Sequence, residues 1–261
     1  MLDKRLRWGG LAWLLTLQFF VAEAIAQLRF GAGYSRAANV VSDLGASYSP
    51  AAGLMNASFM LQGVLIAAGA LLLRPALPRA AGRLATALLL VAAAGVIVVG
   101  VVPLDADSTV HAVGAGAHLA GSSLGLLALA HALRRRSERL GSLIAVFGVV
   151  ASAASVFFVV GITRFLGEGG MERAAVYPLP LALAITAGAL WRGGAETSAR
   201  TDAPSRREVR ARERDVRRAE AAGRAAERDA ALERYAADHD VSGDGTDGDE
   251  DPWAPSSRRP D

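Results

Sequence analysis

Six stretches of about twenty residues carry almost no charge, at 8–28, 53–73, 84–102, 112–133, 141–163 and 175–191. Each is long enough to cross about 30 Å of hydrocarbon as a helix at 1.5 Å per residue. A helix satisfies its own backbone hydrogen bonds, which lipid cannot do, so such runs fold as spans or not at all. A hydrophobic content of 52% fits this reading better than a soluble fold. The expectation is an all-α integral membrane bundle of six transmembrane helices over residues 1–192. Residues 193–261 then form a charged C-terminal region, helical at first and disordered at its end.

Orientation follows from the connections, because positive segments are retained on the cytoplasmic side. One set holds ten Lys and Arg: Lys4, Arg5, Arg7, Arg74, Arg79, Arg83, Arg134, Arg135, Arg136 and Arg139. The opposite set holds four: Arg29, Arg36, Arg164 and Arg173. This places both termini in the cytoplasm and the 29–52, 103–111 and 164–174 connections outside. The start of the chain imitates a secretory signal, with Lys4 to Arg7, an apolar run and Ala24-Ile25-Ala26. The run from Trp8 to Leu28 exceeds a usual signal core, which favours a retained span over cleavage. Ala and Arg richness suits a GC-rich bacterial genome and hence a bacterial cell membrane.

The chain contains no cysteine, so disulfides, thiolate metal sites and cysteine nucleophiles are excluded. Its net charge of +3 comes with Arg concentrated in the cytoplasmic loops and tail, where an anionic lipid surface is the natural partner and nucleic acid is not. In the tail, Ser205 and Glu208 form a capping box after Pro204, a start signal for a helix. Val209, Val216 and Gly223 recur every seven residues, a faint coiled-coil seam that would allow tail-mediated protein contact or self-association. A solvated charged helix held by i to i+4 ion pairs accounts for the same residues. From Asp238 onward, seven acidic residues fall within fourteen positions, the composition of a disordered end.

Small residues mark helix contacts within the membrane. Ala117, Gly121 and Gly125 lie at small-xxx-small spacing on span four, and Gly148, Ser152 and Ser155 serve similarly on span five. No span shows Gly and Pro interruptions in matching halves, so a transporter ranks below the other readings. Walker, Rossmann, H-E-x-x-H and G-x-S-x-G signatures are absent from the sequence.

Polar residues gather toward one end of the spans, and ionisable groups in hydrocarbon tend to mark sites. Candidate ligand-binding residues are Glu23, Ser42, Asp43, Asn56, Glu172 and Arg173. Candidate catalytic residues are His118, His111, Asp107 and Asp105. His111 and His118 are seven apart, so they share a helix face but lie about 10.5 Å apart along the axis. Two imidazoles on one metal usually come from i, i+4 spacing, so no metal site is assigned. The cofactor is unknown. Asp107 or Ser108 can cap span four, and Asp107 is also one turn from His111 and able to orient it. His118 is either a buried histidine bonded to a neighbouring helix or part of a site. Arg173 is expected to pair with Asp43 or Asp105, and Arg173→Ala then lowers folded yield if the pair is structural. Glu23 either joins this cluster or pairs with Gln27. Asn56 reads as an interhelical hydrogen bond, and His131 as an interfacial group.

Ser42-Asp43-Leu44-Gly45, Asn56, the Val102-Pro103-Leu104-Asp105 turn followed by His111, and Glu172-Arg173 before a Pro-containing last span occur in a characteristic order. In this the chain resembles the domain of unknown function 998 family of six-span bacterial membrane proteins over residues 8–192. That resemblance implies an architecture and a set of marked positions, not a reaction. A more distant likeness is to the ceramidase and adiponectin-receptor class of zinc hydrolases, whose late-helix histidines have no counterpart in spans five and six. Two functions follow. One is a binding or structural protein that holds a lipid or small polar ligand in an external-facing polar pocket. The alternative is a lipid-headgroup hydrolase or transferase with His118 or His111 as general base, oriented by Asp107 or Asp105. The first is preferred.

Overall fold

The computed structural model describes residues 2–202 and 206–240. Nine α-helices are described: α1 (Leu2–Leu15), α2 (Gln18–Phe30), α3 (Ala52–Leu73), α4 (Arg79–Val101), α5 (Ser108–Arg134), α6 (Glu138–Val159), α7 (Glu168–Val176), α8 (Pro178–Asp202) and α9 (Arg206–Asp240). They supply six candidate membrane spans, Lys4–Gly33, Ala52–Ala76, Ala80–Val101, Ser108–Arg134, Glu138–Val159 and Glu168–Arg192. No strand occurs among the described residues. The chain divides by packing into two units, Met1–Ala199 and Arg200–Asp261.

Two spans depart from the unbroken helices expected from hydropathy. The first is split at Thr16 and Leu17 into α1 and α2. Here the Thr16 hydroxyl donates to the Trp13 carbonyl at 2.6 Å, and the Thr16 and Leu17 amides bond three residues back instead of four. A side chain competing for the helical carbonyl in this way bends the axis. The last span is split at Tyr177 into α7 and α8, because Pro178 and Pro180 bring no N–H to the ladder. Neither interruption contains the Gly and Pro pair sought in the sequence.

Consecutive spans pack as neighbours, α3 on α4, α4 on α5 and α5 on α6. The α4–α5 contact is backbone to backbone. A Cβ on Gly95 would lie 2.5 Å from the Gly114 carbonyl and from the His118 nitrogen, and one on Gly121 would lie 2.5 Å from the Ala92 nitrogen. Gly121 thus acts as its spacing predicts, and Gly125 lies against Leu89. Gly148 approaches Leu127 on α5, and Gly69 leaves room for the Trp13 ring, whose indole donates to the Ile66 carbonyl at 3.3 Å. Close approach of this kind supplies the dispersion and carbonyl contacts that hold helices together in lipid, where the hydrophobic effect does not.

Toward the end of the bundle that carries Asp105 and Asp107, the connection 31–51 folds onto the spans instead of projecting from them. Val41, Ser42, Leu44, Gly45 and Ala46 are all buried. Gly169 donates to the Ala37 carbonyl at 2.9 Å, and Ser47 binds the Asp105 carboxylate through both its amide and its hydroxyl. In α9, every residue from Glu213 to Asp229 is exposed, as a solvated charged helix requires. One ion pair in it, Arg228 with Asp229 at 3.9 Å, joins adjacent residues and not the i, i+4 partners expected. The Ser205 cap and the acidic stretch beyond Asp240 lie outside the described residues.

Candidate functional site

Asp107 sets the start of α5. Its backbone is extended, and its carboxylate accepts from the amides of Thr109 and Val110, both at 3.0 Å, which makes it the N-cap. The carboxylate is therefore engaged at the helix terminus and does not orient His111. One turn further, His111 points Nδ1 at the Val102 carbonyl, 2.7 Å away, and Nε2 at the Ser42 hydroxyl, 3.0 Å away. Two turns deeper, His118 Nδ1 reaches the Ala92 carbonyl at 2.9 Å, a bond that the glycine contacts between α4 and α5 make possible. A carbonyl only accepts, so His118 carries hydrogen on Nδ1.

Glu172 and Arg173 are adjacent on α7 but belong to different networks. Arg173 Nε meets Glu23 Oε1 at 2.8 Å, with both side chains buried. Glu23 also accepts from Gln27 at 2.7 Å and from the Tyr177 hydroxyl at 2.7 Å. Arg173 Nη1 lies within 2.9 Å of the carbonyls of Arg36, Asn39 and Gly169, and Nη2 donates to Tyr34, whose ring lies 5.6 Å from the guanidinium carbon. The sequence-based pairing of Arg173 with Asp43 or Asp105 is thus replaced by Glu23, which lies 150 residues away in the chain. Glu23 pairs with Gln27 through that same oxygen, as one expectation had it, but it is buried instead of snorkelling, and of the other candidates it meets Arg173 and none of the Asp or His residues.

The remaining acidic candidates are loop fasteners. Asp43 accepts from Asn39 at 3.0 Å and from the Tyr48 hydroxyl at 2.8 Å. Partial burial and the bond to Asp43 push the Tyr48 phenol up to about 12. Asp105 is fastened to Ser47, whose hydroxyl and amide hold its carboxyl below the usual range. Asn56 donates to the Gly45 carbonyl at 2.8 Å, so its bond reaches the 31–51 connection and not another span.

What the structure brings together is Ser42, His111, His118 and Glu172. The Glu172 carboxylate accepts from the Val41 amide and faces the Ser42 hydroxyl at 3.3 Å. Ser42, His118 and Glu172 line one cavity of about 50 Å³, to which all six spans contribute. One water needs about 10–15 Å³ of such space, so this cavity admits a few waters or a small polar group. Its walls include Phe19, Phe59, Phe158 and Gln62. Sequence reasoning passed over Gln62 and the paired Gln18, although both are polar residues within apolar runs. Gln18 donates to Gln62 at 3.2 Å and accepts from Ser58 at 2.9 Å, which ties α2 to α3 beside the cavity. No group of three His, Cys, Asp or Glu converges as a metal site among the described residues. The one bond between these histidines and Asp105 or Asp107 among the described residues is the helical His111 amide to the Asp107 carbonyl, at 3.0 Å; no side-chain bond or ion pair joins either imidazole to either carboxylate, so the acid–base pairing that the hydrolase reading needs is not formed.

Six apolar helices around a largely apolar cavity that holds a few polar groups define a multi-pass membrane protein. The family described as protein of unknown function (DUF998) matches residues 14–190, and the chain belongs to that family. No curated protein and no solved structure matches it significantly.

Proposed function

We propose that this protein binds a small polar ligand, or the polar tip of a lipid headgroup, in the cavity between its spans. The observation that carries this reading is His118. It is 8% exposed, its Nδ1 is bound to the Ala92 carbonyl, and its Nε2 has no partner among the described residues while the ring lines the cavity. That nitrogen is an acceptor open to a cavity inside a membrane bundle, and a donor brought by a ligand gives it a partner. The excess of Lys and Arg in the opposite connections supports a cavity near the outer face, with both termini in the cytoplasm.

The test is ligand-dependent thermal stabilisation of the purified protein across a panel of small polar molecules, in wild type and in His118→Leu. Leucine has a similar bulk but no acceptor. Stabilisation of the wild type that is lost in the variant is the expected result; equal stabilisation of both, or of neither, overturns the reading. Orientation is read separately, because the native chain has no cysteine. Phe165→Cys reacts with an impermeant maleimide on whole cells, and Arg136→Cys reacts only after lysis.

A further inference from the structure

The hydrogen-bond chain Val102, His111, Ser42, Glu172 contains one more acceptor than its donors can serve. His111 Nδ1 faces a carbonyl and must donate, and Ser42 has a single hydrogen to give to either His111 Nε2 or Glu172. With a neutral imidazole and an ionised carboxylate, one of those two acceptors stays empty. Adding one positive charge repairs this in either of two ways. A proton on His111 Nε2 is donated to Ser42, which donates to Glu172. Alternatively, a proton on Glu172 is donated to Ser42, which donates to His111. The two arrangements differ only by passing the Nε2 hydrogen to Ser42 and the Ser42 hydrogen to Glu172.

A cation in the cavity repairs it in a third way. It donates directly to Glu172 and leaves the Ser42 hydrogen for a neutral His111. The same cavity offers His118 Nε2 as a second acceptor, and Phe19, Phe59 and Phe158 are among its aromatic lining. Among the described residues the cation beside Glu172 is Arg173, whose charge is already paired with Glu23 and whose other bonds go to Tyr34 and three carbonyls. We infer that the cavity takes a primary ammonium group, held between Glu172 and His118, in exchange for the proton shared by His111, Ser42 and Glu172. This rests on the ligand-binding reading above and adds the charge and the N–H donors of the ligand. A quaternary ammonium brings the charge without the N–H groups, and about 50 Å³ leaves little room for its methyls.

The titratable groups around Glu172 are few. Among the described residues, Tyr34 and Asp43 on the connection 31–51, Glu23 on α2, His111 and His118 on α5, and Arg173 beside it on α7 are the charged or titratable residues near it. The cavity walls from α3, α4 and α6 carry Phe59, Gln62, Val96, Val99 and Phe158, none of which titrates.

The experiment is calorimetric titration of the full chain in phosphatidylglycerol nanodiscs with ethylammonium chloride, choline chloride and ethylene glycol. It is run in two buffers of different ionisation heat, so that protons released per ligand are counted. The expected result is that ethylammonium binds at least tenfold more tightly than choline or ethylene glycol and releases one proton. Its apparent affinity then rises about tenfold per pH unit while the relay holds its proton. Glu172→Gln keeps the acceptor for Val41 but loses the charge, and should weaken ethylammonium at least tenfold without proton release. Phosphatidylethanolamine in the nanodisc competes with ethylammonium if the native amine is a lipid headgroup, and leaves it unchanged if the amine is soluble. Ethylene glycol binding as tightly as ethylammonium, or ethylammonium binding without proton release, overturns the cation inference and leaves the cavity reading standing. Binding of none of the three also overturns the cation inference, and the cavity reading is then decided by the panel of polar molecules above. The wild-type series decides the matter even if the variant does not fold.

Discussion

Replacing Arg173 by methionine keeps the apolar stem of the side chain and removes its charge, which tests whether α7 is held in place by a buried ion pair. Both partners are nearly inaccessible, Arg173 at 5% and Glu23 at 2%, so solvent screening gives little relief. Breaking a buried pair by removing one partner costs about 3–5 kcal/mol, because the other charge remains in a low dielectric. Glu23 keeps two donors, Gln27 and Tyr177, which argues for the lower half of that range. The loss of Arg173's bonds to three carbonyls and to Tyr34 argues for the upper half. The expected cost is therefore about 4 kcal/mol for Arg173→Met. Glu23→Gln alone is expected to cost about 2–3 kcal/mol, since its amide still accepts from Arg173 but leaves the guanidinium without a counter-charge. The double variant should cost clearly less than the sum, because neither charge is then stranded. Reversible unfolding in mixed micelles, by a denaturing detergent and read from Trp fluorescence, gives the four free energies. A cost below about 1 kcal/mol for Arg173→Met, or costs that simply add, would refute the reasoning.

Other perturbations address the loop end and the helix contacts. The Asp105 carboxyl is held below its ordinary value, so its bond to Ser47 contributes above the unfolded pKa near 3.9 and is lost as pH falls through the lower folded value. The melting difference between wild type and Asp105→Asn should hold from pH 7 to 5 and shrink below about pH 4. Gly95→Ala forces a Cβ to within 2.5 Å of the Gly114 carbonyl and should cost about 1–3 kcal/mol, whereas Gly116→Ala meets open space and should cost almost nothing; folded yield by gel filtration separates them. Asp107→Ala removes the α5 cap and should cost about 1 kcal/mol, with Asp107→Ser restoring most of it in the same unfolding assay.

The six spans were legible because hydropathy is additive along a chain and needs no partner. Helix start signals were legible for the same reason, as the Asp107 cap shows. The small-residue spacing of Gly121 and Gly125 also read correctly, since a helix puts such residues on one face whatever lies opposite. The breaks in the first and last spans were not legible. A Thr inside an apolar run usually sits quietly, and the Pro pair near Tyr177 interrupts the helix without the matching glycine signature. Pairings failed most. Arg173 had Asp43, Asp105 and Glu23 within the same polar end, and sequence separation says nothing about which of them it meets.

By itself, then, the sequence determined that the chain is helical, that it has six runs long and apolar enough to cross a membrane and that its candidate polar residues gather toward one end of them. Those are one-dimensional properties of composition and period. Only the tertiary structure decided that the Asp candidates fasten loops and a helix end, that Arg173 is consumed by Glu23, and that His118, Ser42 and Glu172 face one cavity. The reason is physical: a buried polar group takes whichever partner the packed helices bring within 3 Å, and for His118 and Ala92 that choice is made by the close backbone approach at Gly95 and Gly121 beside them, which depends on the opposite helix and not on the local sequence.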